Sequence, residues 1–153
     1  MKFSVLLVVL AMVPAWAGKN GDKSSDKSGA KTAVKTATQP ASKVFFKNLK
    51  DGQTVPLKFK VEFGVEGMKL RPAGEDVNDK TSGHHHLIIN GGPVKEGEVI
   101  PADETHLHFG KAQTEAEIDL KKPGWYTLTL QLADGAHRSY GEHYSTSIRV
   151  QAK

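Results

Sequence analysis

From Val55 to Val65 every second residue is apolar. Val55, Leu57, Phe59, Val61, Phe63 and Val65 alternate with Pro56, Lys58, Lys60, Glu62 and Gly64. Successive side chains of an extended backbone point to opposite faces, so this run describes a strand with one face buried and the other in water. Val44 to Leu49 forms a shorter candidate strand ahead of it. Asp51-Gly52 between the two is a turn signal, which predicts an opening hairpin. Further strands are readable at His84 to Asn90, His106 to Phe109, Thr114 to Leu120, Trp125 to Ala133 and Tyr144 to Gln151, each bounded by Gly, Pro or Asp. No segment carries a helical period, and no internal repeat is visible. The pattern predicts an all-β domain over residues 43–153, an immunoglobulin-like antiparallel β-sandwich of about seven strands. Phe59, Val61, Phe63, Leu107, Phe109, Leu128 and Leu130 are expected within its sheets. A small barrel is the competing closure.

Two different segments precede the domain. Lys2 gives a positive start, Phe3 to Val13 is an apolar run, and Ala15-Trp16-Ala17 supplies the small residues of a cleavage site. Residues 1–17 therefore read as a cleaved signal peptide, and the protein is expected in the periplasm or secreted, in a bacterium. The apolar run falls well short of the roughly 20 residues that a spanning helix needs, so no stable membrane insertion is expected. Residues 18–42 are rich in Lys, Ser, Gly, Ala and Thr and hold too little apolar surface to order themselves, so they read as a disordered linker. Lys19, Lys23, Lys27, Lys31 and Lys35 recur every four residues. Without an apolar face opposite them they suit a solvated spacer better than a membrane-surface helix.

Charge and composition exclude several functions. The chain carries 21 basic and 17 acidic residues, but six of the former and two of the latter precede Lys43, which leaves the domain neutral at 15 against 15. A neutral domain with few aromatics lacks the basic stacking surface that nucleic acids require. The chain has no cysteine, which removes disulfides, thiolate metal sites and cysteine nucleophiles together. Metal chemistry would have to rest on His, Met or carboxylate. Ser145 and Ser147 sit on an expected strand with no nucleophile-elbow pattern, which argues against a hydrolase.

All seven histidines fall between His84 and His143, five of them in two short words, GHHHLIIN from Gly83 and HLHFG from His106. Strand alternation puts His106 and His108 on one face, with Leu107 and Phe109 on the other. It likewise separates His84 and His86 from His85, Leu87 and Ile89. His85 is expected to be a buried structural residue. Were the two strands to pair antiparallel, His84 and His86 could lie opposite His106 and His108, with facing Cβ atoms roughly 4.5 to 5.5 Å apart. Four convergent imidazoles would hold one ion, tetrahedral Zn(II) or square-planar Cu(II), with copper favoured by the general affinity order. His85, His137 and Met68 are secondary candidates, and Asp103 and Glu104 could orient an imidazole. A solvated polar strand face is the reading in which the histidines bind nothing.

The words FGVEGMKLRPAGED from Phe63, SGHHHLIING from Ser82, IPADETHLHFGKAQTEAEIDL from Ile100 and PGWYTLTLQLADGAHRSYG from Pro123 resemble, together, a family of small exported bacterial proteins known mainly as a domain of unknown function. The resemblance covers Val44 to Val150. It implies a compact exported all-β domain whose signature includes His84, His85, His86, His106 and His108, and it implies no reaction.

Three functions remain open to the sequence. The first is a noncatalytic copper carrier, buffer or delivery factor, with another envelope protein receiving the ion. The second is a copper enzyme of the superoxide dismutase type, although no second site for zinc is readable. The third is a structural or interaction module of the cell envelope, its histidines bonded within the sheet or sensing pH.

Overall fold

Pro56 divides the long alternating run into two strands that serve different sheets. A computed structural model describes residues 43–153. The expected signal peptide at 1–17 and linker at 18–42 lie outside the described residues. β1 (Val44–Phe46) is followed by β2 (Gln53–Val55) and β3 (Lys58–Val65). Proline has no N–H to give to a ladder and a fixed φ, so the chain leaves one sheet after Val55 and enters the other at Lys58. The remaining strands are β4 (Lys69–Leu70), β5 (Ser82–Ile89), β6 (His106–His108), β7 (Glu115–Asp119), β8 (Gly124–Ala133) and β9 (Ser145–Ala152).

The strands form two sheets in a sandwich-like arrangement. The smaller sheet runs β1-β3-β7, and the larger runs β2-β9-β8-β5-β4 with β6 also paired to β5. The expected opening hairpin forms only in part: β1 pairs antiparallel with β3, Phe46 opposite Phe63, but β2, which follows the Asp51-Gly52 turn, joins β9 in the larger sheet. Two features depart from the expected plan of about seven antiparallel strands. The described residues hold nine strands, and two pairings, β2 with β9 and β4 with β5, are parallel. Both added strands are pieces of two or three residues, too short to show a period of their own.

Between the sheets the core is apolar. Val61, Phe63 and Ile118 from the smaller sheet meet Leu87, Leu128, Leu130, Leu132 and Val150 from the larger, all at most 1% exposed. Each such side chain contributes about 1.5–3 kcal/mol over its exposed state.

The outer face of the larger sheet is covered as well. Thr129 Oγ1 donates to the Gly91 carbonyl at 2.7 Å, and Gln131 Oε1 accepts from the Val94 amide at 2.8 Å. Gln131 Nε2 donates in turn to Val94 O at 3.0 Å and Ser139 Oγ at 2.6 Å. These bonds stitch the segment after β5 and the segment after β8 onto the sheet. As a result Ile88, His84 and His86, which point away from the sandwich core, are as buried as the core itself. The expected outward face of His84 and His86 is thus present, but it is covered rather than open to solvent.

Candidate metal centre

The ladder between β5 and β6 decides which histidines meet. His86 lies opposite His108, Leu87 opposite Leu107, and Ile88 opposite His106. Only one member of each expected pair is matched in this register. His84 lies beyond the end of β6, where its partner across the other ladder is Ala133 of β8. His106 lies at the other end, over Ile88, and its Nδ1 sits 2.9 and 3.0 Å from the two carboxylate oxygens of Asp103. The structure thus brings His84, His86 and His108 together and leaves His106 outside.

His137 takes the vacant place. Its ring centroid is 4.7 Å from that of His108, 5.0 Å from His84 and 5.9 Å from His86. His84 lies 4.9 Å from both His86 and His108, and His86 lies 5.0 Å from His108. The Nε2 atoms of His84 and His86 are 3.0 Å apart, and those of His108 and His137 are 3.2 Å apart. His84, His108 and His137 each offer a ring nitrogen within 4.8 Å of the others, and these three histidines can hold a metal ion. With metal–nitrogen bonds of about 2.0–2.1 Å, ligand nitrogens stand about 2.9 Å apart along a square-planar edge and about 3.3 Å apart along a tetrahedral one. The His84–His86 and His108–His137 contacts fall in that interval, while the nitrogens of His84, His108 and His137 stand within 4.8 Å of one another, so the two pairs would draw closer around an ion.

A tight turn carries His137 to this place. The Asp134 carboxylate, 1% exposed, accepts from the backbone N–H groups of Ala136 and Arg138, both at 2.9 Å. Its second oxygen accepts from Arg138 Nε at 2.9 Å and Lys80 Nζ at 2.5 Å. His137 itself has φ 64, a left-handed conformation uncommon for a residue with a Cβ. Its carbonyl accepts from the Ile100 amide at 2.9 Å, which ties the turn to the covering segment.

The donor set is graded in exposure. His84 and His86 are 0% exposed, His137 is half-buried, and His108 is exposed, so the cluster has a closed floor and an open rim. Burial disfavours the imidazolium form and holds His84 down at about 4, helped by the neighbouring His108 and His137. Burial, with His84 and His108, pushes His86 down to about 2, and burial, with His137, also lowers His108. These three rings are therefore neutral near pH 7 and free to offer lone pairs. The Nδ1 atoms of His84 and His86 find no hydrogen-bond partner among the described residues, so packing and the Nε2–Nε2 contact between the two rings set their orientation.

The other sequence candidates sit elsewhere. His85 faces the sandwich core, 0% exposed, with its ring 4.8 Å from Phe63, as the alternation predicts for a structural residue. Met68 packs against the hydrophobic core. Asp103 orients His106 rather than a cluster member, and Glu104 is exposed.

Three residues that shape the site escaped the reading of the sequence. Gln131, opposite His86, anchors the covering segment; a glutamine between two leucines in LTLQLA was the available signal. Asp134 was legible only as half of a turn. Gly110 lies so close under His108 that a Cβ there would come within 2.4 Å of its Nε2.

The family model of a Domain of unknown function (DUF4399) matches residues 61–153, a stretch that contains all four clustered imidazoles. No curated protein and no solved structure matches the chain.

Proposed function

Because the chain belongs to the DUF4399 family, whose description assigns no chemistry, the site must carry the argument, and we propose that the protein is an exported carrier or buffer that binds one transition-metal ion, copper before zinc. The observation that carries this reading is the convergence of His84, His108 and His137, with His86 in contact with His84. An all-imidazole set with neither sulfur nor carboxylate suits Cu(II), which stands above Zn(II) in the affinity order for nitrogen ligands. Export rests on the first seventeen residues, whose pattern fits a cleaved signal peptide.

The gradient from buried His84 to exposed His108 suits a carrier. The floor holds the ion while the rim leaves it open to a competing ligand on another envelope protein, without any activated nucleophile. Titration calorimetry of the untagged full chain with Cu(II) and with Zn(II), wild type beside His108→Ala/His137→Asn, tests the reading. Both substituted residues are accessible, and asparagine tolerates the left-handed backbone at position 137. One ion per chain is expected. Loss of a ligand's hydrogen-bond partner alone costs about 10–100-fold in affinity, so removing two ligands should exceed that. Equal affinity in the two proteins would sink the assignment.

A further inference from the structure

His106 shares an outer face with His108 and His86, since residues two apart on a strand point the same way. Its Cα is displaced from that of His108 by two strand residues, about 6.5–7 Å. Yet it bonds to none of the clustered imidazoles and has a carboxylate of its own. Asp103 is held rigid by the Thr105 amide at 2.8 Å, the Thr105 hydroxyl at 2.7 Å and the His106 amide at 2.9 Å, all on Oδ1. One oxygen would suffice for that turn. Instead His106 Nδ1 faces both oxygens, at 2.9 and 3.0 Å, and must donate to them.

The proton on Nδ1 leaves Nε2 as the lone pair, and a carboxylate behind an imidazole raises its basicity as a ligand. The ring is 22% exposed. His84 and His86 have no such partner on Nδ1 among the described residues. Thus a ligand already fixed for binding stands beside the cluster, two strand residues from the exposed His108.

We propose that His106, held by Asp103, is an entry ligand that captures the ion from solution and passes it to His108 and His86 on the way to the buried floor. The proposal rests on the metal-binding reading above. The transfer is ligand exchange without change of oxidation state. An aquated ion loses one water to His106 Nε2, then further waters to the cluster nitrogens, and the bond to His106 breaks last.

Stopped-flow mixing of the metal-free full chain with Cu(II) supplied as its glycine complex, followed by the visible absorbance of the copper–imidazole species, tests this. Asp103→Asn keeps an acceptor for the turn but loses the charge behind the ring, and His106→Gln removes the ligand. Both should load about ten-fold more slowly, the scale on which losing such a carboxylate weakens an imidazole's bond to metal. Stoichiometry and final affinity should stay within about two-fold of wild type, as expected where the site altered makes no contact in the end state. Wild-type loading rates in both variants would overturn the proposal. So would an affinity loss in His106→Gln as large as in His108→Ala/His137→Asn, which would make His106 a ligand of the final site. Both results leave the metal-binding function standing, whereas a wild-type chain that takes up no copper removes the function and the entry ligand together.

Discussion

The imidazole of His85 is wedged against Phe63 with both nitrogens unpartnered among the described residues, a costly way to fill a core. Burial holds its ring down at about 4. Replacing it with leucine removes two orphaned polar atoms while filling much of the same volume, so His85→Leu should match or exceed wild type in urea denaturation. His85→Ala leaves a cavity and should lose about 2–5 kcal/mol. A leucine variant destabilised as much as the alanine variant would mean that the nitrogens have an essential partner. Gly110 gives a second test at this scale. A methyl group there would meet the His108 ring at 2.2 Å from Cε1, so the imidazole must turn away. Gly110→Ala should weaken metal binding by about 10-fold or more with the fold intact, a loss of the size seen when a ligand is misoriented. Calorimetry beside circular dichroism separates the two effects.

Among the elements, the turn that follows β8 does the most for the site. Asp134 gathers two backbone N–H groups and two cations around one carboxylate. Burial alone would raise its pKa, but the bonds from Lys80 and Arg138 outweigh that and hold it at about 2. Asp134→Ala removes the acceptor that shapes the turn and should lose about 1–3 kcal/mol, while metal affinity falls because His137 is no longer presented. Asp134→Asn keeps an oxygen for the Ala136 and Arg138 amides and should retain most of the binding. If the alanine variant binds metal as wild type does, His137 is held by something other than this turn. Strand β6 shows the reverse economy. Three residues suffice to place His108 because Leu107 packs on the core beneath and β5 fixes the register.

For the molecule as a whole, the buried histidines set the response to acid. In the unfolded chain each takes up a proton near pH 6.5, whereas His84 and His85 in the fold do so only near about 4, and His86 near about 2. Between these values the unfolded state binds more protons, so the stability these groups contribute is complete above about pH 6.5 and declines as pH falls toward 4. Asp134 acts lower: its contribution is present above the unfolded carboxylate value and is lost as pH falls toward 2. Urea midpoints of the metal-free protein should therefore fall steadily from pH 7 to pH 4, and an unchanged midpoint over that range would contradict the burial of these rings. Metal should oppose the fall. A ligand at 1,000 times its dissociation constant stabilises the fold by about 4 kcal/mol, so calorimetric melting with Cu(II) should show a higher Tm than without it.

Alternation along an extended backbone is a local property, and the sequence by itself determined everything that depends on it. The sheet class, the inward His85 beside outward His84 and His86, the shared face of His106 and His108, and the turn at Asp134-Gly135 are all of this kind. Register is not local. A slip of one residue would have turned every histidine over, but a slip of two preserves each inward and outward assignment. The sequence therefore could not separate His84 and His86 facing His106 and His108 from the pairing that forms, His86 on His108 with His106 set apart. It could name His137, 29 residues beyond His108, only as a secondary candidate, because the turn that presents it takes its bearings from Lys80 and Ile100 in distant segments. Burial of the outer face was decided in the same way, by Gln131 and Thr129 reaching across to backbone that only the tertiary fold puts over them.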